Sequence, residues 1–151
     1  MNELTFIHKS FNALTPYELY AILQLRSEVF IVEQNCPFQD ADNKDQAAFH
    51  LMGWQGDLLC AYTRIVPPGI AYELPSIGRV VTSPRARKNG VGRLLMERSI
   101  TETINLFGRM DIRIGAQLYL KKFYISLGFV QSSDIYLEDG IEHIEMTRSA
   151  E

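Results

Sequence analysis

Cysteine is scarce in this chain: Cys36 and Cys60 are the two in 151 residues. They stand far apart, match no metal-ligand spacing and cannot supply a disulfide framework. A packing role in a reducing compartment fits them better than nucleophilic work. Long apolar runs are also missing. None approaches the roughly 20 residues that a bilayer-spanning helix requires. The opening Met1-Asn2-Glu3-Leu4 lacks a basic stretch followed by an apolar one, so no secretory leader is expected. Positive charge is not in excess either. Fifteen Lys and Arg against eighteen Asp and Glu give a formal net charge of −3, which disfavours a nucleic-acid partner. There is no repeat, low-complexity tract or Ser/Gly linker. These absences predict one domain over residues 1–151, in the cytoplasm, without a metal site, a membrane or a nucleic acid as partner.

What is present is ordinary globular material: 46% hydrophobic and 22% charged residues, enough to bury a sizeable core. Thr15, Pro16 and Glu18 form the start of a helix, as N-cap, first helical residue and capping-box partner. Leu19, Ile22, Leu23, Arg26 and Phe30 follow at helical spacing, and the helix should stop before Glu33-Gln34-Asn35-Cys36-Pro37. Residues 37–46 read as an acidic loop with Asp40, Asp42 and Asp45. Two apolar runs, 49–54 and 58–66, flank Gln55-Gly56-Asp57 and predict a hairpin. A third strand is expected over 75–82. A helix begins near Gly90 and runs to Phe107, with Gly108 closing it. Beyond it come a strand over 111–116, a helix over 117–127 stopped by Gly128, and a strand from Phe129. Asp139-Gly140 then turns the chain into a last strand near 143–147. With an opening strand, this order predicts an α/β or α+β fold: a mixed sheet covered by helices.

The boundary at Ser83-Pro84 carries the strongest chemical signal. A strand ends there, a basic loop follows, and a helix starts. Free N–H groups and the dipole at a helix start favour an anion, and Gly90 and Gly92 allow backbone to approach a phosphate. Arg79, Arg85, Arg87, Lys88 and Arg93 surround the loop, with no acidic residue between Arg79 and Arg93. A basic island in an acidic protein points to an anionic ligand. The loop is neither a Gly-Lys-Ser/Thr P-loop nor a complete dinucleotide fingerprint.

Arg87-Lys88-Asn89-Gly90-Val91-Gly92 resembles the Gln/Arg-x-x-Gly-x-Gly/Ala motif of the GNAT superfamily of acyl-CoA N-acyltransferases. Phe123-Tyr124-Ile125-Ser126-Leu127-Gly128-Phe129 is similar to that family's helix-to-strand block of Tyr followed by Gly-Phe. Finer features look like its ElaA subfamily: Leu25-Arg26, Val29-Phe30, Val32 to Pro37, and Glu138-Asp139-Gly140-Ile141-Glu142-His143. The resemblance covers most of the chain. It implies a mostly antiparallel central sheet flanked by helices, and acetyl-CoA as co-substrate. It also implies that Arg87, Lys88, Asn89, Gly90, Val91 and Gly92 bind the pyrophosphate, that Val80, Val81 and Thr82 hold the pantetheine arm and orient the thioester, and that Tyr124 protonates the leaving thiolate. Many members carry Asn where this chain has Gln117, a longer amide at the same donor-contacting position. Exposed strand edges typical of the fold suit a homodimer.

Acyl transfer to an amine also needs a base. Glu33, at the end of the first helix, is the first candidate and His143 the second. Asp40, Asp42, Asp45 and His50 are weaker ones, and a water chain could serve instead. Residues 33–45 could attract a cationic amine, and Arg26 could pair with Glu33 or with an Asp of that segment. The reading is therefore an N-acetyltransferase acting on an amine by direct attack. Two alternatives stay open. Acyl-homoserine-lactone synthases resemble the same superfamily and place similar residues where this chain has Arg26, Val29, Phe30, Asp42 and Asp45. A non-catalytic coenzyme A sensor would need the donor loop but not Tyr124.

Overall fold

A computed structural model describes residues 3–87 and 90–150. The elements are β1 (Thr5–Ser10), α1 (Pro16–Arg26), β2 (Phe49–Gln55), β3 (Leu58–Val66), β4 (Ser76–Thr82), α2 (Val91–Phe107), β5 (Ile112–Gln117), α3 (Lys121–Ile125), β6 (Phe129–Gln131), β7 (Tyr136–Glu138) and β8 (Ile141–Arg148). Strands β1 to β4 form one antiparallel sheet in chain order. In the other sheet β5 and β6 lie on either side of β8, and β7 pairs with β8 as well. This is the expected mixed α/β architecture of mostly antiparallel strands flanked by helices.

The first helix starts as its sequence dictates. The Glu18 N–H donates to Thr15 Oγ1 at 3.1 Å, and the Thr15 N–H donates to Glu18 Oε1 at 2.8 Å. Past Arg26 the helix widens into π-helical turns over Ser27–Glu33, where Gln34 and Cys36 donate five residues back to Val29 and Ile31. Helical structure therefore ends at Glu33, one residue beyond the expected stop.

The first sheet is covered on both faces. Met52 and Tyr62 pack against Ile22, Leu25 and Val29 from the first helix, while Leu51, Ala61 and Ile65 pack against Leu95 of α2. Two covered faces explain why β3 reads as an unbroken apolar run instead of an alternating one. In the second sheet Ile112, Ile114, Ala116, Ile144 and Met146 enter a core with Met96, Ile100, Tyr124 and Phe129. Their alternates Arg113, Gly115, Gln117 and His143 take the opposite face.

Two local expectations change. Gln117 does not start a helix. It ends β5, paired with His143, and α3 is cut to Lys121–Ile125 after a tight turn at Leu118–Leu120. The segment after Gly128 forms two short strands, β6 and β7, both paired with β8. The turn residues Asp139 and Gly140 both have positive φ, 52° and 79°, as a two-residue primed turn demands.

Strands β4 and β5 decide where a ligand can go. They run parallel, joined through α2, and at their starts the Arg113 N–H donates to the Pro75 carbonyl at 3.0 Å. Beyond that they separate. A bulge drives β4 away: Tyr62 faces Val81 and Arg64 faces Gly78, so Thr63 alone opposes Arg79 and Val80. Arg79 takes φ 49° there. A bulge bends its strand and leaves backbone groups unpaired.

Candidate active site

The gap between β4 and β5 is a cleft of about 630 Å3. Val80, Val81, Thr82, Arg87 and Gly92 line one wall; Gly115, Gln117, Phe123, Tyr124 and His143 line the other. Glu33, Gln34, Cys36 and Phe38, which follow the first helix, lie along it. Such concave sites with few polar groups are the usual form of small-ligand pockets.

One end of this cleft is the start of α2. Gly90 caps the helix with φ 74°, and a Cβ added at Gly90 or Gly92 would meet nothing within 4 Å. The backbone is thus open to a ligand, and the N–H groups of Val91 and Gly92 have no intrahelical acceptor to use. The Val91 side chain packs inward beside Leu95, which fixes the helix start on the sheet. Lys88 and Asn89, two expected pyrophosphate contacts, lie outside the described residues. The chemistry of this end suits a phosphate anion.

The surrounding basic island is different from what the sequence suggested. Arg79 turns away to Asp40 and Asp42, Arg85 pairs with Glu28 at 3.5 Å, and Arg93 with Glu97 at 3.6 Å. Arg87 remains at the cleft but is engaged. Its two terminal nitrogens donate to Glu33 at 2.6 and 2.5 Å, and its Nε donates to the Thr82 carbonyl at 3.3 Å. That contact lowers the pKa of the Glu33 carboxyl, so Glu33 is a poorer base than an ordinary glutamate.

The acidic segment is likewise structural. Fully buried Arg26 donates to Asp40 at 2.7 Å and Asp45 at 2.8 Å, not to Glu33. Arg64 donates to Asp42 at 2.7 and 2.8 Å and to Asp45 at 2.9 Å. Arg79 completes the network at Asp40, 2.7 Å. These carboxylates neutralise three arginines and are not left over to draw in a cationic substrate. His50 is fully buried. Its Nε2 lies 2.9 Å from the Asp45 carbonyl and its Nδ1 2.6 Å from the Tyr62 hydroxyl. A proton on Nε2 satisfies both contacts, and burial pushes the imidazole pKa down, so His50 is a neutral structural group away from the cleft. Cys36 and Cys60 are free and buried.

Tyr124 and His143, like Glu33, line the cleft. Tyr124 is 5% exposed, packed edge-on against Phe123 and Phe129. Among the described residues nothing hydrogen-bonds its hydroxyl. Burial raises its pKa, so the phenol keeps its proton. His143 sits opposite Gln117 on β5 and Tyr136 on β7. Its Nδ1 lies 2.8 Å from the Ile141 carbonyl, its ring stacks on Tyr136, and its Nε2 is 3.8 Å from Glu138 Oε2. A carbonyl can only accept, so Nδ1 carries a hydrogen; Nε2 bears a lone pair in the neutral form of the ring and donates toward Glu138 in the charged form.

Sequence reasoning passed over Gln34 and Glu138. Gln34 and Gln117 exchange amide contacts at 3.4 Å, which explains the longer amide at position 117: it spans to the segment after the first helix. Glu138 was readable by counting. A two-residue turn at 139–140 sets 138 opposite 141 and 136 opposite 143, which brings Glu138 beside His143.

A splayed strand pair with an open helix start at its mouth and a protonated phenol in its wall is the arrangement expected of an acyl-CoA-dependent N-acyltransferase. Residues 26–150 match the family model described as an acetyltransferase (GNAT) domain. The chain is 42% identical over 137 residues to the protein ElaA of Escherichia coli K12, covering 89% of this chain and 90% of that one. It is also similar to two solved structures. The acyl-CoA N-acyltransferase of Pseudomonas aeruginosa is 42% identical with a TM-score of 0.93, and E. coli ElaA is 38% identical with a TM-score of 0.91. Each alignment covers 97% of this chain and 100% of the other. The chain belongs to the GNAT family of acyl-CoA N-acyltransferases.

Proposed function

We propose that this enzyme transfers an acetyl group from acetyl-CoA to an amine by direct attack within the β4–β5 cleft. The observation that carries the reading is the opening between the two strands, with the helix start at Gly90 to Gly92 facing it at one end and the Tyr124 hydroxyl unengaged in its wall. Val91, Gly92 and the start of α2 would hold the pyrophosphate, with Arg87 exchanging Glu33 for phosphate oxygen. Lys88 and Asn89 would complete that loop. Val80, Val81 and Thr82 present strand edge that β5 leaves unpaired, suited to the amides of the pantetheine arm and to polarising the thioester carbonyl. Gln117, bonded to Gln34, would close over the donor.

The base falls to His143 rather than to Glu33, because Nε2 of His143 lies in the cleft wall with Gln117 and Tyr124, while Glu33 stands beside Arg87 at the pyrophosphate end. His143 takes one proton from the ammonium and the free amine attacks the thioester carbon. The C–N bond forms, the C–S bond breaks, and Tyr124 gives its proton to the leaving sulfur. The nitrogen's second proton is lost as the amide forms, which restores Tyr124 through solvent.

Calorimetric titration with acetyl-CoA tests the donor site. Binding in the micromolar range that Gly92→Asp abolishes supports it. Absence of binding in a folded sample would sink the reading.

A further inference from the structure

Charge is unevenly settled along the cleft. Among the described residues lining it, the fixed charges are Arg79, Arg87, Glu33, Glu138 and Asp139. Both arginines are committed, Arg79 to Asp40 and Asp42 and Arg87 to Glu33. Glu138 and Asp139 have no Lys or Arg partner among the described residues. They lie together at the β7–β8 turn, where Glu138 reaches to 3.8 Å from Nε2 of His143. The wall beside them is apolar. The Cys36 thiol donates to the Asp139 carbonyl at 3.3 Å, which ties the strap after the first helix to the turn. Phe38, two residues on, lies under the Arg79 guanidinium, 5.9 Å from its ring centre, and Ile141 faces Glu138 across the ladder.

We propose that Glu138 determines acceptor specificity: it receives the ammonium of a primary amine with an apolar body and no carboxylate beside the amino group. This rests on the acyltransferase reading with His143 as base. A protonated amine held by the Glu138 carboxylate lies against the Nε2 lone pair. Its first proton moves to His143, the freed nitrogen attacks the thioester carbon, and the thiolate leaves with the Tyr124 proton. An α-amino acid would bring its own carboxylate to Glu138 and Asp139 with both cleft arginines already paired, and that like-charge contact rejects it.

The test uses acetyl-CoA with 2-phenylethylamine and phenylalanine, two probes that differ by the carboxylate. The intact enzyme should favour the amine by about tenfold in kcat/KM, the scale of a like-charge contact at a half-exposed carboxylate. Glu138→Gln should raise the KM for 2-phenylethylamine about tenfold, keep kcat within about twofold, and leave calorimetric acetyl-CoA binding unchanged. Glu138→Arg should narrow or reverse the preference. The Glu138 side chain is 57% exposed, so both variants should fold. Equal use of phenylalanine, transfer to neither probe, or an unchanged amine KM in Glu138→Gln would overturn the proposal alone. Failure of the intact enzyme to bind acetyl-CoA would overturn the acyltransferase reading and this inference with it.

Discussion

Glu33 and Arg87 face each other at the mouth of the cleft, the two guanidinium nitrogens 2.6 and 2.5 Å from the two carboxylate oxygens. They are 54 positions apart in sequence and join the end of the first helix to the loop before α2. In the proposed donor complex the pyrophosphate would take the place of this carboxylate at Arg87.

Replacing Glu33 should therefore help the donor. In Glu33→Gln, acetyl-CoA should bind several-fold more tightly by calorimetry, because the pyrophosphate no longer competes for Arg87. Turnover should stay within about threefold. A loss of about 10²-fold or more in kcat, the usual contribution of a positioned base, would return the base role to Glu33.

Tyr124→Phe separates an enzyme from a sensor. Donor affinity should be unchanged, since the ring packing against Phe123 and Phe129 is kept. The rate of acyl transfer should fall by about 10²-fold, the range expected for one general acid. Full activity would remove Tyr124 from the chemistry.

Asp45 lies between two buried arginines, 2.8 Å from Arg26 and 2.9 Å from Arg64. Asp45→Asn should destabilise by about 3–5 kcal/mol, because it leaves buried cations short of counter-charge. For a chain of this size that is a fall in Tm of about 10 °C, read by thermal unfolding. Asp42→Asn should cost less, since that side chain is 22% exposed.

The same network sets the acid limit. The carboxyls of Asp42 and Asp45 are held below the ordinary 3.8, chiefly by Arg64 and Arg26 acting against burial. A depressed folded pKa gives stability that is complete above the unfolded value and lost as pH falls through the folded one. His50, lowered by burial from the ordinary 6.5, adds a loss that begins as pH falls below that value. Urea midpoints should be flat above neutrality, decline gently below about pH 6.5 and steeply below about pH 4. Asp45→Asn should flatten the steep part by about one proton's slope. A steep part unaltered in that variant would contradict the assignment.

The capping box supplies a local control. Thr15→Ala removes the acceptor for the Glu18 N–H and should cost about 1 kcal/mol in urea unfolding, without changing acetyl-CoA binding.

The sequence by itself determined the start of α1 from Thr15, Pro16 and Glu18, the hairpin turns at Gly56 and at Asp139-Gly140, and the glycine-bearing helix start at Gly90. These signals act over two to four residues, through φ angles and single hydrogen bonds, so they survive any tertiary arrangement. The two family-like blocks around Arg87 and Tyr124 were legible for the same reason. What only the tertiary structure decided is who meets whom. Arg26 finds Asp40 and Asp45 rather than Glu33, Glu33 finds Arg87, and Gln117 ends a strand because His143 and Gln34 claim it. Charge in a sequence says that a side chain needs a partner. Which one it takes, across gaps of 14 to 83 positions, is set by how β4 bends at its bulge and where the chain returns. The cleft and the place of Glu138 beside His143 follow from that packing.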